Sequence, residues 1–399
     1  MKQMPSLDIA ANAGGERLAS RASEQIDFVN GQILLAGRVA GEASIVLENG
    51  RIVAVGKDVG AGERIDLGGG WLVPGFIDTQ VNGGGGVLFN DTPSAKAIAV
   101  MGAAHSKFGT TGFLPTLISP SPEQILQALD ALDEALDAGV PGCLGVHVEG
   151  PAINEKRRGI HGAAKLRDLD DAVMERLMQP RAGKVMVTLA PERTGLEQIA
   201  QLVAAGVIVS IGHSDCDYET ARAAFAAGAT GVTHLFNAMS ALHHRAPGLV
   251  GAVLENRQVW SGLIVDGEHL HPAALRIALA ARPHDRLMLV TDAMPSVGSD
   301  MTSFVLEGQE IAVVDGRCLG ADGTLAGASL DMAGAVRNTV QQGEVSVPEA
   351  VAMASANPAA FLGMERLRGT LAPGFAADFV QLTPELACAG TWIGGARVA

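Results

Sequence analysis

Short apolar runs alternate with alanine-rich helical stretches through the middle of this chain. The runs that have the length of a buried strand span residues 76–80, 113–118, 144–149, 185–190, 207–212, 231–235, 261–265 and 287–291. Helical periodicity lies between and after them, over residues 94–107, 122–138, 170–178, 196–205, 219–227, 272–281 and 330–341. Eight strand–helix alternations of this kind predict an α/β fold with a TIM-type (β/α)8 barrel.

The two ends of the chain have a different pattern, in which strand-like segments and turn signals replace the helices. Strands are predicted over 26–35, 44–55 and 71–73 near the start, and over 378–382 and 391–398 near the end. Asn49-Gly50 is a strong hairpin signal. We predict one small β-domain made from residues 24–75 and 370–399, a barrel over 76–369, and a disordered leader over 1–23.

A doubly wound parallel sheet is the alternative to a barrel, but its glycine fingerprint is missing. The run Gly83–Gly86 follows a predicted strand, yet it lacks the G-x-G-x-x-G context and a phosphate-binding lysine. We interpret it as a tight strand-to-helix turn rather than a phosphate loop. Residues 304–319, which contain Asp315-Gly316, predict a hairpin inserted after the last barrel strand.

Composition narrows the class of partner. The formal net charge of −14 argues against nucleic acid and anionic membrane surfaces. An anionic substrate would therefore need a local cluster of basic groups. The four cysteines are scattered without a C-x-x-C motif, which is typical of a reducing cytoplasm. No apolar run approaches the roughly 20 residues that span a bilayer.

Three metal-ligating residue types stand at or near the ends of predicted barrel strands. Glu149 ends the third run, and His213 and His234 lie at the ends of the fifth and sixth. Side chains at the carboxyl ends of barrel strands converge on one pocket, and buried glutamate is rare unless it is paired or bound to metal. Three protein ligands leave a coordination position for water, as in catalytic zinc sites. The sequence therefore predicts a hydrolytic metal centre.

Three more side chains could contribute to chemistry there. Asp292 ends the eighth run, and we interpret it as a general acid/base, with a helix N-cap as the alternative. His147 lies two residues before Glu149 on the same strand face, where outer support or packing is favoured over a ligand role. His161 lies on the loop after strand three, and spacing alone leaves substrate contact and plain exposure equally open.

Basic groups for an anion are few. The segment His243-His244-Arg245 follows the sixth run, and His269 follows the seventh. A charged loop is usually only solvated, so their spacing alone does not assign them to a site.

Several motifs together resemble the amidohydrolase superfamily and, within it, the family of N-acetylglucosamine-6-phosphate deacetylases. The motifs are Pro74-Gly75-Phe76-Ile77-Asp78, His147-Val148-Glu149-Gly150-Pro151, Leu189-Ala190-Pro191-Glu192, Gly212-His213-Ser214, Thr233-His234-Leu235-Phe236-Asn237-Ala238-Met239, Val265-Asp266-Gly267-Glu268-His269, Thr291-Asp292 and Leu325-Ala326-Gly327-Ala328-Ser329. The resemblance extends from about residue 26 to the end of the chain. It implies a barrel with a small β-sandwich, a homodimer, and removal of acetate from N-acetyl-D-glucosamine 6-phosphate.

The resemblance also implies roles for residues of the site. Asp292 would be the acid/base, and His161 would help to stabilise the oxyanion. Four further groups would hold the phosphate: Asn237, the backbone of Ala238, Arg245 and His269. In this family the groups matching Arg245 and His269 can come from the neighbouring subunit.

One departure from the wider superfamily bears on the metal count. Many members carry His-x-His after the first strand, where this chain has Gln80 and Asn82. Neutral amides are poor ligands for zinc-type ions. We therefore predict one divalent ion per chain on Glu149, His213 and His234, with zinc favoured and iron, cobalt or manganese as alternatives.

Two other functions compete with deacetylation. Another amidohydrolase, such as a cyclic-amide hydrolase, would not need phosphate-binding residues. A non-catalytic assembly protein on the same barrel would explain the missing His-x-His, but the presence of Glu149, His213, His234 and Asp292 argues against it.

Overall fold

An eight-stranded parallel barrel lies at the centre of the computed structural model, which describes residues 24–56 and 62–399. The predicted leader, 1–23, lies outside the described residues. The barrel strands are Phe76–Val81, Thr110–Ile118, Gly145–Glu149, Lys184–Leu189, Ile208–Ile211, Gly231–Val232, Trp260–Leu263 and Leu287–Leu289. Each strand pairs in parallel with the next one along the chain. The predicted TIM-type fold is confirmed.

The first and eighth strands are joined by a side chain as well as by backbone. The Asp292 N–H donates to the carbonyl of Gln80 at 3.0 Å. The carboxylate of Asp78, which is fully buried, accepts from both the backbone N–H and the hydroxyl of Thr291. Burial raises the pKa of Asp78 to about 7. The eighth strand is shorter than predicted, and the N–H of Thr291, the last residue of the predicted run, bonds to the Asp78 carboxylate instead of to a backbone carbonyl.

Helices cover the outside of the barrel, and most of them begin at a residue whose side chain caps the first turn. Ser121, for example, accepts from the N–H of Gln124 ahead of a proline, which satisfies a free helical donor. The helices are Ala95–Ser106, Pro122–Asp137, Asp171–Met178, Pro191–Thr194, Leu196–Ala204, Tyr218–Ala226, Gly248–Glu255, Pro272–Ala281, Met332–Gly343, Val347–Ala354 and Ala356–Phe361, with 3-10 turns at Glu155–Arg157, Ala163–Lys165 and His284–Arg286.

Each helix predicted from periodicity is present, and four further helices are not among the predictions. Gly248–Glu255 has buried residues almost all round, so its sequence lacks a polar face. Pro191–Thr194 and Ala356–Phe361 are too short to show a period. Among the described residues, no helix has the length and apolar character needed to cross a bilayer.

Both ends of the chain build a small β-sandwich, as predicted. One sheet contains Glu24–Val29, Ala43–Glu48, Arg51–Gly56 and Glu63–Asp66, and the other contains Gln32–Leu35, Arg38–Ala40, Trp71–Pro74, Phe379–Leu382, Cys388–Ile393 and Ala396–Arg397. The rings of Phe28, Phe379 and Trp392 meet between the sheets, with centroids 5.1–6.4 Å apart. Residues from both ends therefore share one core.

A predicted strand and a predicted hairpin differ in detail from the structure. The predicted strand 26–35 is divided at Asn30, whose φ of 55° breaks the extended backbone. The predicted hairpin at 304–319 is part of a four-stranded sheet, which we call the inserted sheet. Its strands are Ser303–Leu306, Gln309–Val314, Arg317–Leu319 and Leu325–Ala328.

The glycine run after the first barrel strand forms a small hairpin, in which Gly83–Gly84 pairs with Val87–Leu88. The Gly83 N–H donates to the carbonyl of Ala293 at 2.9 Å. A side chain at Gly83 would come within 2.5 Å of the Val87 carbonyl oxygen. The run is therefore a turn that contacts the loop after the eighth strand, rather than a turn leading directly into a helix.

Candidate metal centre

Three predicted ligands meet at the carboxyl end of the barrel. Glu149 Oε1 lies 3.2 Å from His213 Nε2 and 3.1 Å from His234 Nε2, and the two nitrogens are 3.1 Å apart. All three residues are buried, with at most 6% of their surface exposed. Ligand atoms around a tetrahedral ion with bonds of about 2.0–2.1 Å are about 3.3 Å apart. The triangle therefore has the size and the donor types of a metal site.

The ring of His213 is held by a hydrogen bond from its far nitrogen. Nδ1 lies 2.8 Å from the carbonyl oxygen of Arg157, which can only accept, so this nitrogen carries the proton. With the proton on Nδ1, Nε2 of the neutral ring keeps a lone pair that is available to a metal ion in the triangle. A backbone carbonyl in this position is the usual outer support of a metal-binding histidine.

Glu149 remains charged despite its burial. Burial acts to raise the pKa of Glu149, but His213 and His234 hold it well below its usual range. A buried carboxylate between two imidazoles leaves a negative charge that a cation would neutralise.

The backbone is strained where these side chains enter the pocket. His213, His234 and Asp292 have φ values of 47°, 34° and 53°, in the left-handed region. Such conformations cost on the order of 1–3 kcal/mol each and are concentrated at functional sites. Each of these residues follows a buried strand, so the chain turns sharply at the rim of the barrel.

Asp292 lies beside the triangle and is held by two amides. Gln80 Nε2 donates to Asp292 Oδ1 at 3.1 Å and to Glu149 Oε1 at 3.2 Å, and Asn82 Nδ2 donates to Asp292 Oδ1 at 2.6 Å. Burial and the charge of Glu149 raise the pKa of Asp292 to about 6. No helix begins directly after Asp292, since the next one in the described part of the chain starts at Met332, so the N-cap alternative is wrong.

His161 lies inside the site and not on an exposed loop. It is 3% exposed, its ring centroid lies 4.3 Å from that of His213, and its Nδ1 is 2.7 Å from the hydroxyl of Ser119. Burial and the neighbouring His213 hold the pKa of His161 well below its usual range, so the ring is neutral. The alternative of plain exposure is wrong.

His147 has no ring nitrogen left for a metal. Nε2 lies 2.7 Å from the hydroxyl of Thr188, and Nδ1 lies 3.3 Å from that of Thr116. Burial lowers the pKa of His147 to about 4. The residue belongs to a polar layer inside the barrel, consistent with the support or packing role favoured from the sequence.

A cavity of about 340 Å³ opens above the triangle. Asn237, Ala238 and His269 line it together with Asp292 and His161. Asn237 Nδ2 is buried without a hydrogen-bond partner among the described residues, and His269 Nδ1 donates to Asp266 Oδ2 at 2.7 Å. Three of the four predicted phosphate-binding residues therefore line the same cavity as Asp292 and His161.

Arg245 is the exception. It lies on the exposed segment 241–246 and lines a separate groove with Tyr218 and Pro247. Within one chain, the structure does not bring this arginine to the cavity.

The inserted sheet contributes a wall that the sequence analysis did not assign. Gly323, Thr324, Leu325 and Gly327 line the cavity. A side chain at Gly327 would meet the Asp292 carbonyl oxygen at 2.7 Å, and the Gly327 φ is 63°. The motif Leu325–Ser329 was the available signal, but these residues follow no barrel strand, so the strand-end rule did not apply to them.

Known proteins are similar to this chain over most of its length. The amidohydrolase family model matches residues 71–398. The chain is 41% identical to an N-acetylgalactosamine-6-phosphate deacetylase from Shewanella sp. (strain ANA-3), over 91% of this chain and 93% of the relative. It is 38% identical to the N-acetylglucosamine-6-phosphate deacetylase of Homo sapiens, over 96% and 98%.

A solved structure is also similar over most of its length. The N-acetylglucosamine-6-phosphate deacetylase from Pasteurella multocida superposes with a TM-score of 0.89 at 35% identity, covering 93% of this chain and 98% of that one. The resemblance found in the sequence is therefore confirmed.

The geometry predicts one tightly held divalent ion per chain. Metal analysis of protein purified without chelator should give about one equivalent. His213→Ala should lose the ion because it removes a ligand, whereas His161→Ala, a change in the same cavity, should keep it. Two tightly held equivalents in the wild type, or full metal content in His213→Ala, would contradict the assignment.

Proposed function

This chain belongs to the amidohydrolase family, and we propose that it removes acetate from N-acetyl-D-glucosamine 6-phosphate, leaving D-glucosamine 6-phosphate. The observation that carries the proposal is the buried triangle of Glu149, His213 and His234, which faces a cavity beside Asp292. Relatives that carry this activity in their names match nearly the whole chain. They also argue against a cyclic-amide hydrolase and a non-catalytic assembly protein.

We propose that the triangle holds one divalent ion. One carboxylate oxygen and two imidazole nitrogens suit zinc, and also iron, cobalt or manganese. Gln80 and Asn82 direct N–H donors at carboxylates, so they support a site without a second ion. A bound ion of this kind lowers the pKa of water and polarises a carbonyl group.

Asp292 is the proposed acid/base. The two amides hold its Oδ1, while Oδ2 makes no hydrogen bond to the described residues. With its pKa raised to about 6, the carboxylate can take a proton near neutral pH and release it again. It accepts a proton from the water that attacks the acetyl carbonyl. It then gives that proton to the departing amine, which is otherwise too basic to leave.

His161 is the proposed oxyanion donor. The Ser119 hydroxyl lies against Nδ1 and can donate to it, which places the ring proton on Nε2. A neutral imidazole with its N–H directed into the cavity would stabilise negative charge on the carbonyl oxygen as that charge develops.

The phosphate group of the sugar would bind beside the three predicted phosphate-binding residues that line the cavity. The unpartnered Nδ2 of Asn237 and the backbone N–H of Ala238 are the donors available there, and His269, whose Nδ1 proton bonds to Asp266, would donate from Nε2 as an imidazolium. Arg245 lies outside the cavity of its own chain, so we propose that it serves the site of the other subunit in a homodimer. Its exposed segment, 241–246, is free to reach a neighbouring copy.

N-acetyl-D-galactosamine 6-phosphate is a second candidate substrate, favoured by the 41% identity to the Shewanella deacetylase that is named for it. The two sugars differ only in the configuration at C4. Either substrate would use the same metal centre, the same acid/base and the same phosphate-binding residues.

Acetate release tests the proposal directly. We expect the wild type to release stoichiometric acetate and free amine from at least one of the two N-acetylhexosamine 6-phosphates. The ratio of kcat/KM values for the two sugars identifies the preferred one. Absence of acetate from both substrates in metal-replete protein would refute the proposed function.

Asp292→Asn should reduce kcat by about 10²–10⁴-fold while the metal and the fold are kept. The amide can neither accept the proton of water nor return one to the amine. Metal content and thermal midpoint, measured on the same preparation, control for damage to the site. Turnover close to wild type in a metal-loaded variant would exclude Asp292 as the acid/base.

Arg245→Ala should lower kcat/KM for the phosphorylated sugar by about 10- to 100-fold, because a charge-assisted hydrogen bond is lost. Unphosphorylated N-acetylglucosamine should be almost unaffected. Arg222→Ala removes another exposed arginine and should change neither value.

Mixing Arg245→Ala with Asp292→Asn subunits tests where the arginine acts. Each heterodimer would contain one site with an intact Asp292 served by the partner's intact arginine. After full subunit exchange, activity should return to about a quarter of wild type. No recovery despite confirmed exchange would contradict a role across subunits.

A further inference from the structure

Glu192 follows the fourth barrel strand, and no step of the proposed reaction uses it. Its carboxylate accepts three hydrogen bonds, from Asn154 Nδ2 at 2.8 Å, Ser214 Oγ at 2.7 Å and the Asp215 N–H at 2.8 Å. These donors lie on the loops after the third and fifth strands. One side chain thus ties together three consecutive strand-end loops around His213.

Asp215 continues this network back to the third-strand loop. Its Oδ1 accepts from Arg157 Nε at 2.8 Å, and its Oδ2 lies 3.4 Å from Lys156 Nζ. These two contacts hold the segment that contains Arg157. The carbonyl oxygen of Arg157 accepts the proton of His213 Nδ1 at 2.8 Å.

The network closes on the other side of the same histidine. The Asn154 N–H donates to the His213 carbonyl oxygen at 2.8 Å, and the Asn154 side chain is one of the three donors to Glu192. His213 is therefore held at both its backbone and its ring by groups that Glu192 and Asp215 position.

This network matters because two features of His213, its backbone conformation and its ring tautomer, need support from neighbouring groups. Its backbone lies in the left-handed region, with a φ of 47°. Its ring must also carry the proton on Nδ1 for the Nε2 lone pair to be available to a metal ion. Loss of the Arg157 carbonyl from its place would remove the preference for that tautomer.

We propose that Glu192 and Asp215 are positioning residues for the metal centre, which fix the orientation and tautomer of His213 without touching the ion or the substrate. The inference rests on the metal site of the proposed function. The Arg157 and Asp215 side chains are 36% and 23% exposed, and an ion pair this exposed contributes little to overall stability. The effect of removing it should therefore appear in metal affinity rather than in folding.

Competition with a chelator measures the zinc affinity of the full-length protein and of its variants. Glu192→Ala and Asp215→Ala should each raise the zinc Kd by about 10- to 100-fold, as is usual for the outer support of a metal ligand. Asp168→Ala is the matched control, because Asp168 pairs with Arg193 on neighbouring loops without contacting His213. It should change the Kd by no more than about twofold.

Three further readouts separate positioning from general damage. The thermal midpoint of the metal-free protein should stay near wild type in both variants, and kcat at saturating zinc should largely recover. The double variant should lose less affinity than the product of the two single losses, because both act through one network. If an alanine variant fails to fold, Glu192→Gln and Asp215→Asn, which keep neutral acceptors, should give smaller losses of affinity in the same direction.

Glu149→Gln distinguishes failure of this inference from failure of the proposed site. If it loses zinc while the Glu192 and Asp215 variants bind as tightly as wild type, the metal site stands and the positioning role is wrong. If Glu149→Gln also binds zinc as tightly as wild type, the metal site itself is wrong, and the inference falls with it.

Discussion

Closure of the barrel between its first and eighth strands is the interaction on which the candidate site depends. The buried Asp78 carboxylate binds Thr291 across this seam. Just beyond this pair, the Asp292 N–H bonds to the Gln80 carbonyl. The same seam brings the amides of Gln80 and Asn82 to the Asp292 carboxylate. If the seam opened, the proposed acid/base would separate from the groups that hold it, although the metal ligands on strands three, five and six would remain together.

Charge explains why the arrangement calls for a cation. Glu149, Asp292 and Asp78 are all buried near one another in a chain whose net charge is already −14. Burial raises the pKa values of Asp78 and Asp292, whereas the imidazoles keep Glu149 charged. The different environments therefore give the carboxylates different properties. Glu149 is suited to bind a cation, and Asp292 is suited to exchange protons.

The parts of the structure predictable from sequence are those governed by local period and strand direction. Apolar runs located all eight barrel strands, and the rule that parallel strand ends converge predicted that Glu149, His213 and His234 lie together. The outer network around His213 was not predictable in this way. Glu192 and Asp215 act through hydrogen bonds between loops, and no periodicity encodes which loops come into contact.

Segments that lie outside the strand–helix alternation of the barrel were also harder to predict. The inserted sheet lines the cavity with Thr324 and Leu325, although it comes after the last barrel strand. Arg245 has the right chemistry for a phosphate but lies on an exposed segment away from its own cavity. The proposed role of Arg245 depends on a second subunit, and neither strand periodicity nor the geometry of one chain describes such a contact.

The most direct test of the account is to follow acetate release while metal is returned to chelator-treated protein. The account predicts that the metal-free wild type is inactive on N-acetylhexosamine 6-phosphates. Its activity should rise linearly with added zinc and level off at about one equivalent per chain. Full activity without metal, or a plateau only at two equivalents, would contradict a single ion on Glu149, His213 and His234.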